Sequence, residues 1–262
     1  PMTMRCFLMA FGLFTLFLTP AGAASSAWTE TPGGRVRVLI EDTETPARDE
    51  LRGALQIELA PGWKTYWRNP GDAGVPPQVN LEGKGEARLA YPAPVRFGSG
   101  EEGGIGYKAP VSLPITFRVG PNDDRLKGNV FLGVCQNICI PVQAEFDFPL
   151  SATGTQSTPQ ALAARTIIET AFDRLPAPAS PAFGVDGVTR EKDKAIFALA
   201  LPDPDLPAEF FVASDTVGLS EPVSAGDNRR FAVQLHGEAD KTVIDYTIVQ
   251  NGKAVSGRVT LD

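Results

Sequence analysis

The chain has 262 residues, 43% of them hydrophobic, and a formal net charge of −7. This length suits two domains of ordinary size, each large enough to bury a core. Lysine and arginine form no cluster, which argues against nucleic acid and anionic membranes as partners, because phosphate binding needs concentrated positive charge. Glycine (26) and proline (23) are plentiful, and they favour short strands and turns over long helices.

The first residues have the three-part pattern of a secretory signal. Arg5 supplies a short positive region, Phe7 to Leu18 is a near-continuous apolar run, and Ala-Gly-Ala at 21–23 is a small-residue cleavage site. The run is too short to span a bilayer comfortably. We therefore expect residues 1–24 to be a signal peptide and the mature protein to be periplasmic. Signal removal also removes Cys6, and the two remaining cysteines can pair with each other.

Residues 25–150 are predicted to form an antiparallel β-sandwich. Short apolar or alternating segments bounded by turn residues indicate strands at 35–40, 51–59, 63–68, 89–91, 111–119, 129–134 and 140–148. Several short strands at such spacing are typical of a sandwich. Between them, Phe97 to Gly106 is predicted to be a glycine-rich loop, and Asn69 to Asp72 is a cluster of turn residues.

A linker and a second, smaller β-sandwich-like domain are predicted to follow. Residues 151–182 contain an amphipathic helix, with Thr158 as N-cap and Pro159 at the first helical position. Proline-rich residues 175–181 are predicted to end it as a stiff linker. Residues 183–262 carry five candidate strands, and Asn-Gly at 251–252 is a strong hairpin signal. The predicted fold class is all-β with one linker helix.

Cys135 and Cys139 are the main candidates for chemistry. Four residues along a straight strand span roughly 13 Å, whereas a disulfide needs Cα atoms about 5.5 to 6 Å apart. The bond therefore requires a chain reversal, for which Gln-Asn at 136–137 is suitable, and we expect the pair at the tip or shoulder of a hairpin. So small a ring adds little stability, and exposed or strained disulfides are more often catalytic or regulatory. A structural staple is the alternative at this point.

A metal site is another interpretation of two cysteines four residues apart. Two thiolates suit Cu(I), a soft ion, but a tetrahedral site needs four ligands. After the signal, the chain has no methionine and one histidine, His236, in a predicted strand of the second domain. We therefore expect no metal site and no cofactor. A single histidine also argues against Cys-His or Ser-His catalysis.

Two further segments are candidates for a role beside the cysteines. Tyr66 and Trp67 either fill the core of the first sandwich or line the cysteine site. The loop at 98–107 is either an ordinary surface loop or a lid over the disulfide. As a lid it would bring Glu101 or Glu102 near the thiols, and a neighbouring carboxylate raises the pKa of a thiol.

Several separated segments of the first domain resemble a known family. Gly62 to Gly74 (GWKTYWRNPGDAG), Tyr91 to Pro94, Ile105 to Tyr107 and Val134 to Pro141 are similar to the N-terminal periplasmic domain of DsbD-type and ScsB-type disulfide reductases. The resemblance covers roughly residues 28–150, and the segments fall in the family's order.

The resemblance implies an immunoglobulin-like fold and thiol–disulfide exchange without a cofactor. It implies electrons taken from the thioredoxin-like domain of a membrane transporter and passed to oxidised periplasmic thiol proteins. By this resemblance, Cys139 forms the mixed disulfide and Cys135 resolves it. A cap over the cysteines is also implied, and it maps to the stretch that contains Phe97, Ile105 and Tyr107.

Two features depart from the family pattern. DsbD itself has a longer gap between its cysteines, and here no apolar run after the signal approaches the length of a transmembrane helix. The electrons would therefore come from a separate membrane protein. Two other functions stay open: a non-enzymatic module that binds or scaffolds an envelope protein, with a structural disulfide, and Cu(I) binding, because ScsB-type proteins are tied to copper tolerance.

Overall fold

A computed structural model of the chain describes residues 25–41, 50–72, 74–98, 103–150, 158–237 and 241–261. They form two β-sandwiches with one helix between them, which confirms the predicted all-β class. The predicted signal peptide, residues 1–24, lies outside the described residues, as do Glu101 and Glu102. No helix in the described part of the chain is both long enough and apolar enough to span a membrane.

One sheet of the first sandwich has five antiparallel strands. They are β1 (Thr29–Thr31), β2 (Gly34–Ile40), β3 (Glu50–Leu59), β6 (Glu86–Leu89) and β9 (Val111–Arg118). Their order across the sheet is β1-β2-β3-β9-β6. The strands β2 and β3 are almost wholly apolar on the face that meets the other sheet, and this face forms one half of the core.

The other sheet of the first sandwich carries the cysteines. Its strands are β4 (Lys64–Tyr66), β5 (Gln78–Leu81), β7 (Val95–Phe97), β8 (Gly104–Tyr107), β10 (Arg125–Cys135) and β11 (Cys139–Pro149). The order is β11-β10-β4-β8-β7, and β5 also pairs with β10. The predicted loop at 97–106 is shorter than expected, because Gly104 and Gly106 pair with β7 and extend the sheet.

Strict alternation in β11 explains how the sandwich closes over its core. Val142, Ala144, Phe146 and Phe148 are buried, whereas the residues between them are exposed. A period of two places all four side chains on one face of the sheet. Burying an apolar side chain of this size contributes about 1.5 to 3 kcal/mol, so this strand fixes its own register against the opposite sheet.

The helix between the two sandwiches, α1 (Pro159–Asp173), starts as the sequence predicts. The Thr158 side chain accepts a hydrogen bond from the Ala161 backbone N–H at 3.1 Å, and Pro159 occupies the first turn. Because of this cap, one of the unpaired N–H groups at the helix start is satisfied. The helix packs on β2 and β3 of the first sandwich through a small cluster of Ala164, Ile168, Ala171, Leu39 and Ala54. It is therefore an outer layer of the first sandwich.

The second sandwich has two sheets. One contains β12 (Ala177–Pro178), β15 (Glu209–Ala213), β19 (Thr242–Gln250) and β20 (Lys253–Leu261), in the order β12-β20-β19-β15. The other contains β13 (Gly184–Glu191), β14 (Lys194–Ala200), β16 (Gly218–Leu219), β17 (Val223–Ser224) and β18 (Arg230–His236). Its order is β13-β14-β18-β16, with β17 also on β18. Since β12 pairs with β20 in parallel, part of the predicted stiff linker is an edge strand of this sandwich.

Candidate functional site

The disulfide joins the facing ends of β10 and β11. Cys135 is the last residue of β10 and Cys139 the first of β11, and the two are register partners. Their sulfurs are 2.05 Å apart and their Cα atoms 4.1 Å apart. The Gln136 backbone N–H donates to the Ile138 carbonyl at 3.1 Å and closes the turn. The expected position at the tip of a hairpin is confirmed.

The two cysteines differ in exposure. Cys135 is 4% exposed and forms a small buried cluster with Tyr66 and Phe97. Cys139 is exposed, and its neighbour Ile138 is 68% exposed. An incoming sulfur can therefore approach Cys139 from solvent, whereas the protein itself covers Cys135.

Tyr66 places a polar group against the sulfur of Cys139. Its hydroxyl lies 3.3 Å from the Cys139 Sγ atom. Burial raises the pKa of the Tyr66 phenol above its usual value of 10.0, so the hydroxyl keeps its proton at neutral pH. A disulfide sulfur carries no proton, so the phenol is the donor. The same hydroxyl is placed to donate to a thiolate on Cys139 after reduction.

Glycines allow the aromatic rings to sit close to the backbone around the disulfide. A Cβ atom at Gly74 would lie 2.8 Å from the Tyr66 ring, and one at Gly104 would lie 2.6 Å from the Phe97 ring and 3.0 Å from the Tyr66 ring. Such contacts are closer than side chains tolerate. Residues 74 and 104 therefore need to be glycine for the two rings to take these positions.

Lys64 adds a positive charge on the cysteine side of the sheet. It is the register partner of Cys135 in the β4–β10 pair, and cross-strand partners share a face. Its Nζ atom lies 4.9 Å from the centroid of the Phe97 ring. A nearby cation favours the thiolate over the thiol. Lys64 is not among the site residues predicted from the sequence, although its spacing of two residues from Tyr66 places both on one face of a strand.

The other predicted cap and lining residues lie elsewhere. Ile105 and Tyr107, 1% and 7% exposed, belong to the main core of the first sandwich. The Tyr107 hydroxyl donates to the Pro92 carbonyl at 2.8 Å, and burial raises its pKa well above the usual value. Trp67 packs edge-on against Tyr91, with 6.5 Å between ring centroids. The structure thus brings Tyr66 and Phe97 to the cysteines and leaves these three in packed surroundings.

The described residues contain no group of three or more His, Cys, Asp or Glu side chains that could hold a metal ion. His236 ends β18 in the second sandwich, where it is exposed. The site is a disulfide between an exposed and a buried cysteine, with the Tyr66 phenol against Cys139 and Lys64 on the strand paired with Cys135. This arrangement suits nucleophilic exchange between sulfur atoms.

The first sandwich matches a known family model. Residues 36–151 match the family model described as thiol:disulfide interchange protein DsbD, N-terminal. This segment contains both cysteines and the strands that carry Tyr66 and Phe97. The first sandwich is therefore similar to the DsbD N-terminal domain family over these residues, which confirms the predicted resemblance.

A solved structure extends the similarity to the second sandwich. The crystal structure of the N-terminal periplasmic domain of ScsB from Proteus mirabilis matches with a TM-score of 0.71 and 19% identity, covering 91% of this chain and 98% of that one. The arrangement of both sandwiches is thus a known fold. A marsupial T cell receptor matches with a TM-score of only 0.20 and 10% identity, over 88% of this chain and 98% of that one. No curated protein sequence matches this chain.

Proposed function

We propose that this chain is a periplasmic thiol–disulfide exchange protein that relays electrons through Cys135 and Cys139. The observation that carries the proposal is the unequal exposure of one disulfide at a hairpin tip, with Cys139 outside and Cys135 covered. A family domain of this class and a phenol in contact with the outer sulfur support it. No cofactor takes part.

Reduction of a substrate begins with both cysteines reduced. The Cys139 thiolate attacks one sulfur of the substrate disulfide, forms a mixed disulfide and releases the other substrate sulfur as a thiolate. The Cys135 thiolate then attacks the Cys139 sulfur, and the second substrate sulfur leaves. Two electrons have moved to the substrate, whose two thiolates take up protons from solvent, and the Cys135–Cys139 disulfide has formed.

A dithiol donor of the thioredoxin-like type resets the protein. Its thiolate attacks the exposed Cys139 sulfur, and Cys135 leaves as a thiolate. The second donor thiol then attacks the donor's own sulfur in the mixed disulfide and releases Cys139. The donor ends as a disulfide and this protein as a dithiol. In both half-reactions the partner is bonded to Cys139, because Cys139 is the exposed residue of the pair and Cys135 is the buried one.

Tyr66 and Phe97 give the two sulfurs different surroundings. The Tyr66 hydroxyl donates toward Cys139 and stabilises negative charge on it when a thiolate forms or leaves. Phe97 packs against Tyr66, with ring centroids 5.8 Å apart, and helps to cover Cys135. Because Cys135 is covered and lies next to Cys139, its thiol attacks the mixed disulfide on Cys139 before a second partner molecule can react there.

The reduction potential of the Cys135–Cys139 disulfide tests the proposal. The mature protein is equilibrated with glutathione buffers and the oxidised fraction is measured by thiol alkylation. A potential in the range of about −180 to −230 mV matches known exchange proteins and supports a relay. A potential below about −300 mV identifies a resistant structural disulfide, and the chain would then be a binding or scaffold module.

A further inference from the structure

The second sandwich contacts the first at the strands that form the cysteine site. Phe211 and Ala213 of β15, 0% and 4% exposed, are buried in the same apolar cluster as the core of the first sandwich. Val249 of β19 packs against this cluster. The hydrophobic core of the first sandwich therefore extends into the second sandwich at this contact.

β4 and the residues after it face the disulfide on one side and the second sandwich on the other. Successive residues of an extended strand point in opposite directions. Tyr66 reaches Cys139, whereas Trp67 lies edge-on to Phe211, with 6.0 Å between ring centroids. Two residues further on, the Asn69 side-chain amide donates to the Val212 carbonyl at 2.8 Å.

β7 repeats this arrangement at the edge of the sheet. Phe97 packs against Tyr66 on the cysteine side. The preceding residue, Arg96, donates from Nη2 to the Phe210 carbonyl at 2.8 Å, and its guanidinium lies 4.3 Å from the centroid of the Phe211 ring. Arg96 also pairs with Glu221 at 3.1 Å. Both ring-bearing strands are thus attached to the second sandwich through the residue next to the ring.

An ion pair adds to this contact. Arg68 Nη1 lies 2.9 Å from an Asp245 carboxylate oxygen, and their side chains are only 26% and 19% exposed. Partly buried pairs depend more on fixed geometry than exposed surface pairs do. The contact therefore holds the chain after β4 in one position relative to β19.

The site strands have little support of their own. β4 and β7 are three residues long. Register partners join β4 to β10 at two positions and to β8 at two positions, and β7 is the last strand of its sheet. Strands this short open locally more easily than the long β10–β11 pair, and among the described strands β7 pairs with β8 alone.

We propose that the second sandwich is a positioning element of the redox site, which holds β4 and β7 from behind and so keeps Tyr66 and Phe97 over Cys135. This inference deepens the proposed function and rests on it for its biological meaning. The positioning residues are Phe211, in β15 of the second sandwich, and Arg96, in β7 of the first. Neither contacts a sulfur atom. Phe211 acts through Trp67, which it contacts and which follows Tyr66 in the chain, and Arg96 acts through Phe97, the next residue of β7.

The accessibility of Cys135 tests the proposal in the full mature chain, residues 25–262. A Cys139→Ser background leaves Cys135 as the only thiol, and the rate of its alkylation by iodoacetamide under native conditions reports how well Tyr66 and Phe97 cover it. Phe211→Ala in this background is expected to raise the rate by about fivefold or more, and Arg96→Gln by about two- to threefold, because the covering strands open more often.

Matched variants separate positioning from general loss of stability. Phe197→Ala removes an equally buried ring from the core of the second sandwich, in β14. Arg125→Gln removes an ion pair with Asp147 in the first sandwich. Both are expected to leave the alkylation rate within about twofold of the background protein, although Phe197→Ala lowers the melting temperature. If Phe211→Ala fails to fold, the test is the alkylation rate of Cys135 in Arg96→Gln compared with that in Arg125→Gln.

The proposal is overturned if Phe211→Ala and Arg96→Gln alkylate no faster than their controls. It is equally overturned if alkylation rises in proportion to the loss of melting temperature in all four variants. Failure of the proposed function has a different signature. In that case the wild-type protein does not exchange with a reduced thioredoxin-type donor, whereas the alkylation comparison still reports whether the second sandwich holds the site.

Discussion

Each sandwich contains a long hairpin, β10–β11 in the first and β19–β20 in the second, and the two are closed differently. β10–β11 runs from Arg125 to Pro149 and ends at the disulfide, whereas β19–β20 runs from Thr242 to Leu261 and ends at Asn251 and Gly252. Those two turn residues have φ values of 52° and 72°, as a type I′ turn requires. In the first hairpin, no residue between the cysteines has a positive φ.

The difference indicates what the disulfide does. Backbone turn chemistry alone is enough to close a long hairpin, as β19–β20 demonstrates. β10–β11 is paired without interruption along its whole length, and its alternating buried residues set its register. A crosslink at its tip is therefore not needed to hold the strands together. The comparison favours a chemical role for Cys135 and Cys139 over a structural one, and five substitutions test it.

Cys139→Ser should have the largest effect on function and a limited effect on stability. It removes the sulfur that partners reach, so exchange with a thioredoxin-type donor should fall to the background rate. The entropy term for so short a ring is about 2 kcal/mol, which the long ladder tolerates. Exchange kinetics and urea unfolding measure the two effects. Retained exchange would contradict the role of Cys139, and loss of folding would make the disulfide a staple.

Tyr66→Phe should slow exchange while leaving the fold intact. The ring that packs against Phe97 stays, but the hydroxyl that faces Cys139 is lost. A hydrogen bond to a charged group contributes about 1.5 to 3 kcal/mol, so the exchange rate should fall about tenfold or more. Tyr246→Phe in β19 is the matched control, because its hydroxyl accepts from the Val185 backbone N–H. An equal loss of rate in both variants would argue against a role at the sulfur.

Gly252→Ala should affect the other hairpin alone. A side chain at φ 72° is strained, and the substitution is expected to lower the free energy of unfolding by about 1 kcal/mol. Exchange should be unchanged. Asn137→Ala in the cysteine turn, where φ is not positive, should alter stability by less than about 0.5 kcal/mol. Thermal unfolding compares the two variants. A larger loss of stability from Asn137→Ala than from Gly252→Ala would contradict the view that the cysteine turn contributes little to stability.

Lys64→Met should have the smallest effect. Loss of the Lys64 ammonium group, on the strand paired with Cys135, disfavours the thiolate, so the pKa of the cysteine thiols should rise and the rise should be smaller at high salt. The ultraviolet absorbance of the thiolate in reduced protein, followed against pH, measures it. Lys253→Met, at the start of β20, is the control. A salt-independent change would point to altered packing over Phe97 instead.

The sequence predicts the local features of this molecule well. Thr158 at the helix start, Asn251-Gly252 at a turn and the cysteines at a hairpin tip each depend on a few neighbouring residues. Features that depend on contacts between distant parts of the chain are harder to predict from the sequence. The parallel pairing of Ala177 with Val255 has no local signal, so this segment resembles a linker when only its prolines are considered.

The candidate site also has one part that the sequence predicts from local signals and one part that depends on contacts between distant residues. Tyr66 and Phe97 are adjacent to the cysteines, but Trp67 packs against Phe211, about 140 residues away in the chain. Period-two alternation shows that Tyr66 and Trp67 face opposite sides of a strand, yet it does not reveal which side meets the sulfurs. The role of Arg96 likewise depends on a second sandwich whose position no local pattern predicts.

The uninterrupted pairing of β10 with β11 has a consequence for partner choice. Register partners run from Arg125 and Pro149 up to Val134 and Ile140, next to the cysteines. Breaking the sulfur–sulfur bond releases only the short turn beyond them, so the oxidised and reduced proteins should present nearly the same outline. Under the proposed function, a donor and an acceptor therefore meet the same surface, and they must distinguish its two oxidation states by the reactivity of the Cys139 sulfur.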